Sequence, residues 1–158
     1  MARRRSLRSR LRRFADIGWR RRALLAEAAL LLLASRAVLK FMPFPKLARR
    51  LGTAVPPDDA RVRAAHARAA APDAEIAREV GWAVTRASRH VPFEAVCLPQ
   101  AIAARVMLTR RGVVSVMHFG ARTGRDKPLD AHAWLDAAGV EVTGYPVEAS
   151  LAEVACFV

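Results

Sequence analysis

The stretch EAVCLPQAIAARVMLTRRG, residues 94–112, decides the fold. Proline is tolerated only in the first turn of a helix, where its missing N–H would have no partner anyway. Pro99 therefore sets the helix start near Cys97. From there Leu98, Ile102 and Val106 recur every four residues on one face, and Arg110, Arg111 and Gly112 supply the cationic last turn and the glycine that end a helix. A thiol at that start lies beside unpaired backbone N–H groups and the positive end of the helix dipole. These stabilise a negative charge by about 0.3–1 kcal/mol, and thiol pKa values fall at such positions. Three readings are open for Cys97: a small buried apolar side chain, a metal ligand, or a thiolate nucleophile.

Downstream the texture is that of a sheet. VVSVMHF (113–119) is β-branched and predicts a strand, and GARTGRDKPLD (120–130) reads as a loop. AHAWLD (131–136) and VEVTGY (140–145) flank AAG as the two arms of an antiparallel hairpin. Val147 to Val158 fits a strand or a helix. Upstream, the apolar run from Ala23 ends at MPFP (42–45), where Pro43 and Pro45 forbid continuation. A short helix is expected over Lys46 to Leu51. Asp58/Asp59 after two prolines should start another helix, which Pro72 breaks, and Asp73 should cap the next, with Ile76, Val80 and Val84 on its inner face. Everything to about His90 reads as helical. The expected class is α+β: helices, then a central helix packed on a small antiparallel sheet. Three segments are expected: a basic arm (1–22), a helical lead-in (23–90) and a core (91–158).

With 158 residues, 53% of them apolar, the chain can form one domain with a sizeable core. Two cysteines, Cys97 and Cys156, are too few for a disulfide framework, and a reducing cytoplasm is the expected compartment. Residues 1–50 hold fifteen Lys/Arg against Asp16 and Glu27, a local charge of 15 − 2 = +13 that equals the whole chain's excess. In residues 51–158 the charges balance. Such an arm selects polyanions, and an anionic surface at the inner face of the membrane is the expected partner. The neutral half offers nucleic acid no second contact, so nucleic acid is not expected. Only thirteen residues separate Arg22 from Arg36, with Glu27 among them. A membrane span needs about 20 apolar residues, so this segment predicts a helix buried in protein or lying on a membrane surface.

A cysteine nucleophile needs a base. Period two puts His132, Trp134 and Asp136 on one face of their strand and Ala131, Ala133 and Leu135 on the other. The histidine thus shares the polar side, which suits a cleft better than a core. His118, inside an apolar strand, is the competing base, with a structural role expected; His66 and His90 have no evident partner. A metal site would need Cys97, His118, His132 and Cys156 to converge without a close-spaced ligand pair, which structural zinc sites usually carry. No metal and no cofactor are expected.

CLPQAIAARVMLTRRG, an apolar strand, AHAW and a hairpin together resemble the transglutaminase-like, papain-like cysteine-peptidase core of lasso-peptide B proteins (the microcin-processing C-terminal domain). The resemblance covers residues 91–158, and LLAEAALLLLASRAVLKFMPFPKLARRLG (24–52) is similar to the helical lead-in of the same proteins. It implies a hydrolase that cleaves the leader from the precursor of a threaded antimicrobial peptide, with Cys97 as nucleophile and His132 as base. The family's third member is an Asp about twelve residues past the histidine. Here that position is Gly144, followed by Tyr145. Hairpin geometry points to the same place: if Asp136 faces Glu141, His132 faces Tyr145. Asp136, Glu141 and Glu148 are the nearby acids; Asp136 shares the histidine's face and is the expected substitute, although a backbone carbonyl or water can also orient an imidazole. Cys97 and His132 are expected within about 5 Å. The resemblance further implies a stand-alone protease half whose partners are the precursor peptide, a separate leader-recognition protein and an ATP-dependent cyclase.

Overall fold

The computed structural model describes residues 18–122 and 130–158. Residues 1–17 of the expected arm and 123–129 of the expected loop lie outside the described residues; the loop expected over 120–130 is shorter than that, because 120–122 continue one strand and 130 begins the next. Among the described residues, five helices and five strands follow in the order α1 (Trp19–Phe41), α2 (Phe44–Leu51), β1 (Ala54–Val55), α3 (Ala60–Ala67), α4 (Ala71–Ser88), α5 (Cys97–Thr109), β2 (Ser115–Arg122), β3 (Asp130–Ala137), β4 (Val140–Thr143) and β5 (Ala152–Phe157). The strands form one antiparallel sheet in the order β1-β5-β2-β3-β4. The class is α+β, as expected.

Local signals account for most boundaries. Pro43 and Pro45 separate α1 from α2, and the Asp59 carboxylate accepts from Arg61 N to cap α3. At α4 the expectation needs correction. The cap position is Ala70, Pro72 sits inside the first turn, and Asp73 is a first-turn acid rather than the cap. A proline there begins a helix instead of ending one. The arm boundary also moves, because α1 starts at Trp19 and Arg21 stacks over the Trp82 ring of α4 at 5.4 Å.

One core runs from α1 to β5. Ala28 and Leu32 of α1, Val80 and Val84 of α4, and Ala101, Met107 and Leu108 of α5 pack together with Met117, Ala133, Leu135 and Phe157 of the sheet. Leu32, Met107 and Leu135 are fully buried. The expected division between lead-in and core at residue 90 is therefore not a division of the packing. Nor is the lead-in all helix, since Ala54–Val55 pairs with β5. Glu27, the acid inside the apolar run, ties α1 to the end of α5: its Oε2 accepts from Arg111 at 2.6 Å and its Oε1 from Arg110 at 3.2 Å. Among the described residues no helix is long and apolar enough to cross a membrane.

The sheet has two covered faces. Helices α1, α4 and α5 cover the one carrying Met117, Ala133 and Leu135. The other carries Val116 and Cys156, which pack against Val62 and Ala65 of α3. Side chains alternate between the faces along each strand, and that alternation decides how the functional residues meet.

Candidate active site

Cys97 is the first residue of α5, and Val96 before it offers no side-chain cap, so no side chain takes up the opening N–H groups. The thiol is half-buried and packs against the core on the helix-covered face. Among the described residues no hydrogen bond joins it to a histidine.

His132 lies on β3 opposite Gly120. Its ring stacks on Trp134, centroids 5.9 Å apart, and Trp134 stacks in turn on His118 at 5.4 Å. His132 is thus on the face of Trp134, and Ala133 is on the face of α5. Strand parity aims His132 away from the face that α5 covers, and among the described residues no hydrogen bond joins it to Cys97.

The partner of His132 is a backbone carbonyl. Its Nε2 lies 2.6 Å from the oxygen of Gly144. A carbonyl can only accept, so Nε2 carries the hydrogen and Nδ1 the free lone pair. Gly144, where the resemblance looks for an acid, has φ +83°, and a Cβ there would lie 2.5 Å from Ala133 O and 2.8 Å from Trp134 Cα. The backbone leaves no room for a side chain, so the carbonyl orients the imidazole instead. Asp136 pairs with Glu141 as expected, but the register slips by one before Leu135, which pairs with Thr143. The slip takes Tyr145 out of line with His132.

Asp136 does not serve His132, a correction to the expectation. Its Oδ2 lies 2.7 Å from His118 Nε2 and its Oδ1 lies 3.1 Å from His66 Nε2. His118 Nδ1 meets Glu153 Oε1 at 2.5 Å, and the Cys156 thiol donates to the same oxygen at 2.9 Å. Burial by itself would lower the His118 pKa. The hydrogen bonds and charges of Asp136 and Glu153 outweigh it, so His118 titrates above its ordinary value. Burial, then Glu153, pushes the Cys156 thiol well up, and a buried, protonated thiol is no nucleophile. Of the other acids considered, Glu148 pairs with Arg122 at 2.5 Å and Glu141 lines a cavity of about 400 Å³ between α4 and β4, together with Arg78, Trp82, Arg86 and Arg89. Neither Cys97 nor His132 lines that cavity.

A half-buried cysteine opening the helix that a sheet packs on, with a histidine strand two positions further along the chain's course, is the layout of one broad class of thiol enzymes. Residues 38–155 match the transglutaminase-like superfamily. The chain belongs to the transglutaminase-like superfamily. No curated protein and no solved structure matches it. Membership puts a superfamily that includes cysteine peptidases on the α5–β2–β3 unit, and the match starts inside α1, in line with a core that does not divide at residue 90. In this transglutaminase-like chain, sequence reasoning missed the His66–His118–Asp136–Glu153 network. Its bonded pairs are 18 to 70 residues apart along the chain, and only the period-two parity of His118 and Asp136 on facing strands hinted at it.

Proposed function

We propose that the chain is a cysteine peptidase that removes the leader from a lasso-type precursor peptide. The observation that carries the reading is a half-buried cysteine at the first position of the central helix of a transglutaminase-like domain, followed by the HAW strand. Cys97 Sγ attacks the scissile carbonyl and forms a thioester. His132 takes the thiol proton and passes it to the leaving amine, and water then releases the leader acid. The open N–H groups at the start of α5 are the donors for the oxyanion. The Gly144 carbonyl does the work of the absent acid, holding Nε2–H and leaving Nδ1 as the base. In the reactive arrangement Nδ1 has to come within hydrogen-bond reach of the sulfur. The precursor, a recognition protein and a cyclase are the partners, and no cofactor is used. Cleavage of a precursor with its recognition protein present tests the reading. Cys97→Ala and His132→Ala should each abolish turnover while Cys156→Ala retains it, and wild-type cleavage by Cys97→Ala ends the proposal.

A second reading is favoured by the charge of +13 on residues 1–50 and by the lack of any hydrogen bond between Cys97 and His132 among the described residues: a non-catalytic adaptor with a retired protease fold that binds anionic membrane or nucleic acid through residues 1–50. Its mark is salt-sensitive binding to anionic vesicles that is lost on deleting residues 2–17, without any cleavage.

A further inference from the structure

On the face of the sheet away from Cys97, three donors converge from three elements: His66 Nε2 of α3, His118 Nε2 of β2 and the Asp136 carboxylate of β3. All lie within 4.8 Å of one another. Glu153 accepts at His118 Nδ1, which leaves Nε2 of the neutral imidazole as a lone pair aimed at an Asp136 oxygen 2.7 Å away. Two acceptors in contact need a proton or a metal ion between them. His66 Nε2, 3.1 Å from the other Asp136 oxygen, can donate as one tautomer or ligate as the other, so a metal ion can engage all three groups at once.

We propose that His66, His118 and Asp136 form a binding site for a divalent transition-metal ion of the zinc type, held in place by Glu153 behind His118. Two imidazoles and one carboxylate suit a borderline cation, whereas calcium and magnesium take oxygen ligands. Donors around a tetrahedral zinc, each about 2.0–2.1 Å from the ion, stand about 3.3 Å apart, so the 2.7 Å His118–Asp136 contact has to open by about 0.6 Å and the wider separations, which reach up to 4.8 Å, have to close. His118 is 7% exposed and held between Asp136 and Glu153. His66, 45% exposed, is the arm that turns to close the site. The Glu153–His118 contact is the carboxylate–imidazole pair that outer shells of zinc sites use to set the tautomer and strengthen the ligand. Three protein ligands on an exposed rim leave the fourth position to water. Cys156, bonded to Glu153 at 2.9 Å and 3.4 Å from His118 Nδ1, lies on the outer-shell side and is not a ligand in this geometry. The bound ion would clamp α3 to β2 and β3. None of this depends on Cys97 or on peptidase activity.

The test is titration of the full-length protein, stripped by chelator, with zinc followed by calorimetry and cobalt(II) followed by its visible ligand-field bands. One equivalent is expected to bind, with a rise in melting temperature. His66→Ala removes an exposed ligand without touching the core, and should weaken binding by more than about tenfold, since loss of even an outer-shell partner costs 10–100-fold. Glu153→Gln should fall in that 10–100-fold range, and Cys97→Ala, His90→Ala and His132→Ala should bind as wild type. The proposal is overturned if no equivalent is taken up, if His66→Ala binds as tightly as wild type, or if Cys97→Ala is the variant that loses the ion.

Discussion

Gly144 and Gly112 share a left-handed backbone, φ +83° and +73°, but differ in what a side chain would meet. At Gly112 a Cβ has nothing within 4 Å; at Gly144 it runs into the backbone of Ala133 and Trp134 at 2.5 and 2.8 Å. Gly112→Ala should therefore cost only the left-handed conformation, about 1–2 kcal/mol. Gly144→Ala carries the same cost plus that of overpacking against main-chain atoms that cannot swing aside, about 1–3 kcal/mol more, for a total of about 2–5 kcal/mol. That is a large part of the 5–15 kcal/mol typical of a domain. With an m-value of about 2 kcal/mol/M in urea, the midpoint should fall by roughly 1–2.5 M for Gly144→Ala and by under about 1 M for Gly112→Ala. Gly144→Asp should be no better than Gly144→Ala, and it should not restore a catalytic acid, because the carboxylate would arrive only by displacing the carbonyl that now holds His132. Equal midpoints for the two alanine variants would refute the close approach of Gly144 to β3, and with it the account of how His132 is oriented.

Two further outcomes follow from side chains already placed. Hydrogen bonds from Arg111, then the charges of Arg111 and Arg110, hold the Glu27 carboxyl below its usual 4.5, so its contribution is full above that value and is lost as pH falls through the depressed one. Glu27→Gln should cost about 1 kcal/mol near neutrality, and the gap to wild type in urea melts should close below about pH 4; a gap unchanged by pH would show that the pair contributes nothing. In alkylation of the native protein followed by mass spectrometry, half-buried Cys97 should be modified while Cys156, fully buried with its thiol pKa raised, reacts only after urea is added. Equal native labelling would contradict the burial of β5 between β1 and β2.

What the sequence determined is what local chemistry decides. Pro99 fixes the start of α5 within a residue because a ring without N–H fits only the first turn, and Gly112 marks its end. The hairpin of β3 and β4, the helix break at Pro43 and Pro45 and the cap at Asp59 are short-range for the same reason. Parity along β3 was readable too: His132, Trp134 and Asp136 do share a face. Which face of the sheet α5 would cover was not readable, because Met117 and Phe119 on one side and Val116 and His118 on the other are all residues that pack. That one binary choice, made by α1, α4 and α5 burying their apolar surface together, puts Ala133 and Leu135 rather than His132 and Trp134 against the helices. The one-residue slip between Leu135 and Asp136 carries no signal in the local sequence. The long-range meetings were likewise tertiary. His66 reaches Asp136 across 70 residues, and His118 reaches Glu153 across 35, only because α3 docks on the open face and β5 enters the sheet beside β2. Polar side chains scattered along the sequence carry no mark of their partners until a fold buries them and obliges each to find one.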